Sequence, residues 1–438
     1  MTEGSISNGD RRGLWASLGP GILFTGAAVG VSHLVQSTRA GAMFGLGFIG
    51  IVIVANVVKY SAFRAGPHYA AATGTSLLEG YRRQGTWALV LYSLLTVGTM
   101  FTVQAAVTML TAGLLIAVLG LDGPLASPLA LSAVLTVVCA GVLAAGHFHW
   151  LDRIGKVLVS VLTVSTVIAA AVALPKLDLG LGAGASSLLP SAEMFSPAAL
   201  PFVVALVGWM PSAIDVSVWQ SLWTLAREKD SGHRPTLRES MFDFHLGYFG
   251  TAFLALCFVV LGAALVHGKD VEIASGAGAF AGQVVSLYTE ALGEWSRPLI
   301  GVAAFATMFS TTLTVIDGFP RALSVLWARF RGPEEPGEAG SLTGSSRRVY
   351  WASLVLLGLG ALGIIAFMVQ NLLVMVDVAT TLSFLTAPVL AWLNHRAVLG
   401  SEVREHARPS RGLTALSAGS ILVLAIFAVY YLVLRFGT

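Results

Sequence analysis

Apolar runs long enough to cross a bilayer recur from about residue 19 to residue 435, and they constrain this chain more than any other feature. A helix needs ~20 apolar residues to traverse the hydrocarbon core. Lipid offers no partner to exposed backbone groups, so runs repeated along one chain read as helices packed into a bundle. By length the spans fall near 19–42, 46–65, 88–119, 129–147, 154–175, 199–226, 244–266, 296–320, 350–369, 371–394 and 413–435, about eleven in all. Only 11% of the residues are charged, against about 25% in soluble chains. The expectation is an all-α polytopic membrane protein with one transmembrane domain and no sizeable soluble one.

The remaining composition adds detail. The first thirteen residues are polar, and no small-residue cleavage site follows a short apolar core, so the first span is expected to stay in the bundle rather than act as a signal peptide. Cys139 and Cys257 both sit in apolar runs and read as small buried hydrophobes. Counted over alternate connections, most Lys and Arg fall on one side. The other side receives only Arg39, Lys176, Lys269, Arg297 and Arg435. By the positive-inside rule the N-terminus is expected in the cytoplasm and the C-terminus outside, at the plasma membrane. The stretch 331–348 reads as a flexible inner loop and 177–196 as an outer one. The charged segment 226–245 reads as a solvated inner loop with room for a short amphipathic helix.

Two spans are interrupted. The first carries FTGAAVGVSHLVQSTRAG at 24–41, with Gly26, Gly30, Ser32 and His33 near its middle. The sixth carries Pro211 at its centre, within PFVVALVGWMPSAIDVSVWQSLW at 201–223. Proline removes a helical hydrogen bond and clashes with the preceding turn. Irregular backbone at that depth survives only where protein buries it or a cavity faces it. Matching breaks in the first and sixth spans point to an inverted five-plus-five transporter with a site at the midplane. The repeats then cover 19–175 and 199–394, with 413–435 as an additional helix.

Several residues near the breaks carry polar chemistry. Ser212 and Asp215 fit the S-x-x-D pattern of a helix cap, and Asp215 is also an intramembrane carboxylate, which is by default a functional candidate. His33 lies deep in a span, where a packed histidine and a metal- or proton-binding one are equally compatible with the residues alone. Gly30 eases unwinding there. Met210 is either core or a soft thioether ligand. Asp377, with Thr380 and Thr381 beyond it, suits a polar pathway or a helix contact. Asp317 and Arg321 have the spacing of a helical ion pair. Gln36, Gln104 and the FSTTLT run at 309–314, including Thr311, are weaker polar candidates. No P-loop, G-x-S-x-G, C-x-x-C or H-E-x-x-H pattern occurs, so the reading is of a non-enzyme without cofactor, driven by an ion or substrate gradient.

Three stretches resemble the Nramp family of divalent metal transporters. They are LGPGILFTGAAVGVSHLVQSTRAGAMFGLGF at 18–48, ATGTSLLEGYRRQG at 72–85, where Thr73, Gly74, Leu77, Glu79 and Arg82 match, and the Met210-Pro211 break. The resemblance implies a LeuT-like fold and proton-coupled import of a divalent metal through a site between the first and sixth spans. The chain also departs from the family. The family's Asp-Pro-Gly-Asn falls on Gly30-Val31-Ser32-His33, and its Met-Pro-His becomes Met210-Pro211-Ser212. The family's carbonyl ligand three residues before the methionine maps to Val207.

The leading expectation is a secondary-active transporter of a divalent metal ion, with His33, Met210, the carbonyls of Gly30 and Val207, and Asp215 around the ion. Glu79, Ser212, Gln104, Thr311 and Asp377 are placed along the pathway. An imidazole and a thioether favour softer metals over Mg²⁺. The alternatives are transport of a small organic solute beside Trp209 and Trp219, and a non-transporting sensor. The expected partners are lipid and the transported ion or solute, with no nucleic acid, and the expected state is a monomer.

Overall fold

Between helices in lipid, burying apolar surface drives little, so association rests on close packing and on polar contacts. Glycine supplies the close packing in this bundle. The computed structural model describes residues 19–146, 148–177, 190, 192–269, 271–334, 344–368 and 371–436. Among these residues the regular elements are all helical. Residues 1–18, 178–189 and 335–343 lie outside them, and with these go most of the N-terminal segment and the centres of the loops expected at 177–196 and 331–348.

The first span comprises α1 (Pro20–Ala28), a π-helical turn at Ser32–Ser37 and α2 (Thr38–Phe44). Then follow α3 (Phe48–Thr73), a short α4 (Leu77–Gln84), α5 (Thr86–Leu119), α6 (Pro128–Ala145) and α7 (Phe148–Ala173). The sixth span is split into α8 (Leu200–Gly208) and α9 (Asp215–Ser231). The rest are α10 (Leu237–Leu265), α11 (Ala277–Leu292), α12 (Ser296–Arg331), α13 (Gly344–Met368), α14 (Leu372–Val398) and α15 (Arg411–Phe436).

Nine described stretches are by themselves long and apolar enough to span a membrane. One of them, Ser32–Thr73, joins the second half of the first span to α3, and the sixth span is absent because neither half is long enough alone. Counted with both, the layout is the eleven spans expected from the sequence.

Two local expectations change. Segment 226–245 holds no separate amphipathic helix: α9 runs on to Ser231, and α10 starts at Leu237 behind a capping box made by Thr236 and Glu239. The connection after α10 instead contains α11, which packs against α5 and α12.

The first span lies along α10 at backbone contact. A Cβ on Gly41 would collide with the Val259 carbonyl, one on Gly262 with the Thr38 carbonyl, and Gly21 and Gly247 make the same kind of crossing further along. The Asp243 carboxylate of α10 accepts the backbone N–H groups of Gly19 and Gly21 and closes the otherwise unpaired start of α1. The sixth span is fixed to α3 in the same manner, since Gly66 has no room for a Cβ beneath the Ser217 carbonyl.

Gly41→Ala is therefore expected to cost at least about 3 kcal/mol, the upper range for overpacking, because backbone rather than a movable side chain is in the way. Gly98→Ala, in α5 with open space around it, should leave stability unchanged or slightly raised. Thermal unfolding of both variants in the same detergent checks the contrast, and equal midpoints would refute the packing argument.

Candidate functional site at the paired helix breaks

The first break is short. α1 stops at Ala28, Val29 leaves helical geometry, and the chain re-enters a helix through the π turn that begins at Ser32. Gly30 packs against Thr311 and Met308 of α12, where a Cβ would lie 3.0 Å from Thr311 Cγ2. Its carbonyl accepts the N–H groups of His33 and Leu34 at 3.1 and 2.9 Å, so its lone pairs are engaged within the chain. Thr311 donates to the Gly26 carbonyl at 2.7 Å and ties α12 to α1.

The second break spans Trp209–Ile214, with a cis peptide between Met210 and Pro211. The expected Ser212–Asp215 cap does not form. α9 starts behind Ile214 with no side-chain cap, and the N–H groups of Val216 and Ser217 bond to the Ala213 and Ile214 carbonyls instead. Tight backbone bonds of this kind meet the need that a capping side chain would otherwise serve. The two breaks touch: Ser32 Oγ lies 3.4 Å from the Pro211 carbonyl.

His33 is fully buried and both ring nitrogens are occupied. Nε2 lies 2.9 Å from the Thr251 carbonyl, which can only accept, so Nε2 carries a hydrogen. Nδ1 lies 2.7 Å from Ser32 Oγ, which is itself 2.6 Å from the Ala28 carbonyl. The ring also meets Phe258 edge-on. In this conformation the imidazole is packed against α10, and a metal reaching Nδ1 would have to displace Ser32.

Lys59 contributes the charge that the sequence reading did not weigh. It stands inside IGIVIVANVVKYSAF of α3, is fully buried, and projects into the second break. Its Nζ donates to the carbonyls of Val207 and Gly208 at 2.9 Å and of Ser212 at 2.8 Å. An ammonium has three donors and no acceptor, so three carbonyls satisfy it completely, whereas a neutral amine would turn a lone pair towards one of them. The signal was available, because a lysine in the middle of an apolar span is costly and marks a functional region. Met210 is fully buried beside this cage.

Asp215 is buried at the start of α9, and its Oδ1 has no hydrogen-bond partner among the described residues. Tyr81 and Tyr92 lie near it. Gln104 donates to Thr108 within α5 at 2.9 Å. Trp209 donates to Ser383 at 2.8 Å, Trp219 packs edge-on against Phe319, and both rings are buried. No group of three or more His, Cys, Asp or Glu gathers around one point among the described residues.

Ion pairs close both ends of the break region. Asp377 receives Arg39 through two bonds of 2.7 and 3.1 Å, and Gln36 at 3.0 Å, joining the second half of the first span to α14. Beyond the spans, Glu79 of α4 accepts from Arg82, Arg83 and the Glu334 backbone. Glu334 in turn accepts from Ser76. Asp317 and Arg321 form the i, i+4 pair expected of them, and Tyr350 donates to the same carboxylate.

The sequence profile of the family described as natural resistance-associated macrophage protein-like matches residues 21–434. An uncharacterized protein of Pasteurella multocida (strain Pm70) is 35% identical over 424 residues, which cover 97% of this chain and 93% of that protein. A mutant of the Eremococcus coleocola manganese transporter superposes with a TM-score of 0.67 at 12% identity, covering 100% of this chain and 90% of that one. MhsT in complex with L-phenylalanine gives 0.60 at 15% identity, covering 95% and 98%. At these identities the structural likeness establishes the fold, and it is the LeuT-like one expected.

Burial alone raises the Glu79 carboxyl, but the hydrogen bonds from Arg82, Arg83 and the Glu334 amide outweigh it and hold the group below its ordinary value of 4.5. A carboxyl lowered on folding stabilises the fold above its unfolded value, and that contribution disappears as pH falls through the folded value. Glu79→Gln should unfold at a lower temperature than the parent protein at pH 7, and the gap should close on acidification below about pH 4.5. A pH series of unfolding midpoints tests this, and a gap that is constant with pH would contradict it.

Proposed function

Because the chain belongs to the Nramp family, we propose that it is a secondary-active transporter that moves a divalent metal ion across the plasma membrane by alternating access. The observation that carries the reading is the contact of the two helix breaks at Ser32 and Pro211, deep in the bundle. Broken helices that meet near the midplane are where transporters of this architecture bind their cargo. The donors offered around that point are the Met210 thioether, the His33 imidazole once Ser32 releases it, and the carbonyl of Val207. Asp215 is the nearest carboxylate along the chain and supplies the negative charge that Gly30-Val31-Ser32-His33 lacks. A thioether and an imidazole select softer divalent ions over Mg²⁺. Proton coupling and the inside orientation of the N-terminus belong to the same reading.

His33, Lys59 and Met210 have no exposure, and the Arg39–Asp377 and Glu79 networks hold the helix ends on either side. The conformation is accordingly a closed one, and transport requires one network to part while the other holds. Trp209 and Trp219 are both buried in packing contacts, so the metal reading is preferred over an organic solute.

The test is flux into liposomes with a panel of Mn²⁺, Co²⁺, Zn²⁺ and Mg²⁺, with and without a pH gradient. At least one softer ion should enter faster than Mg²⁺. His33→Ala and Met210→Ala should each weaken its apparent affinity about 10-fold, equivalent to ~1.4 kcal/mol of binding. Absence of flux for every metal would overturn the proposal, and unchanged flux in both variants would remove these two residues from the site.

A further inference from the structure

The carbonyls of Val207, Gly208 and Ser212 converge on one point, and that point holds the Lys59 Nζ. The Val207 carbonyl also accepts the Met210 N–H at 3.4 Å, so it is shared between the backbone and the amine. Carbonyls that line an unwound segment can form a cation site. Here the cation is part of the chain. The three distances are nearly equal at 2.8–2.9 Å, three acceptors match the three donors of an ammonium, and among the described residues no carboxylate contributes to the hydrogen bonding. An ordinary buried lysine pairs with an acid. Lys59 pairs with the break.

We infer that the second break is a monovalent-cation site of the ammonium class, occupied by Lys59 as a tethered cation. The site keeps the unwound carbonyls satisfied while the carrier holds no cargo. The assignment of the cage stands on its geometry alone. Its consequence for cargo rests on the metal reading above: Lys59 and a transported ion cannot both use the Val207 carbonyl, so the ion enters only as the ammonium withdraws. Two positive charges a few ångströms apart in a low-dielectric interior repel strongly, which makes the two occupants exclusive.

Chemical rescue separates the two parts. Lys59→Ala removes the side chain beyond Cβ, and n-propylammonium restores the missing carbons and charge. n-Propanol has a similar shape and no charge. Lys59→Ala should unfold roughly 2 °C below the parent protein, a small shift because the unfolding entropy grows with the length of the chain. Millimolar n-propylammonium should recover at least half of that shift, n-propanol should recover none, and the parent protein should respond to neither.

Equal recovery with n-propanol would show simple cavity filling and overturn the assignment. An unshifted midpoint in Lys59→Met, the unbranched neutral variant, would overturn it as well. If Lys59→Ala is obtained only when membranes are solubilised with n-propylammonium present, the assignment is supported. Failure to obtain it under that condition counts against the assignment. These readouts need no metal. Separately, apparent Mn²⁺ affinity in Lys59→Met liposomes should rise about 10-fold over the parent protein. An unchanged affinity would refute the competition while leaving the cage assignment intact, and no flux in the parent protein would refute the metal reading alone.

Discussion

A single lysine side chain holds the second helix break together. Breaking a helix in the middle of a bilayer leaves carbonyls that water cannot reach, and each would be costly if left alone. Lys59 supplies three donors to three of them from the neighbouring helix α3. The first break is closed differently: the Gly30 carbonyl turns back onto His33 and Leu34, while the His33 ring reaches α10 at Thr251. The first span thus leans on α10, while the sixth leans on α3 through α9 and on α14 through α8, where Gly208 has no room for a Cβ beneath the Thr380 carbonyl. The arrangement of the site follows from those supports.

This arrangement changes what the departures from the family pattern mean. The first break carries no carboxylate to attract a divalent ion, and Lys59 stands opposite it. The two features are mutually consistent. A break with no anionic ligand can tolerate a resident cation, and a break with a resident cation has its carbonyls satisfied without cargo. Met210 keeps a soft donor at the edge of the cage, and Asp215 keeps a carboxyl oxygen that has no partner among the described residues.

Much of the architecture was legible in the sequence. Span lengths follow from bilayer thickness, and the two breaks were marked by local composition, glycine with hydroxyls in one and proline in the other. Asp317 and Arg321 were readable because an i, i+4 pair is decided within one helix. Features that depend on residues distant in sequence were not. Arg39 finds Asp377 across 338 positions, and Lys59 finds Ser212 across 153. The S-x-x-D motif at Ser212 misled for the opposite reason. It states a local preference, and in the folded chain short backbone bonds had already met the need it serves. α11 went unnoticed because its sixteen residues fall between two stronger apolar runs.

The glycine crossings carry a mechanical consequence. A helix that touches its neighbour backbone to backbone at two separated points, as the first span touches α10 at Gly21/Gly247 and Gly41/Gly262, cannot pivot about its own break without opening one of them. Gly66 imposes a similar constraint between α3 and α9. The discontinuous helices are thus riveted to continuous partners, and the natural moving part is a rigid plate of paired helices rather than a swinging half-helix. Motion of such a plate is taken up at its rim, where side chains and salt links meet, and the interior of each pair travels unchanged.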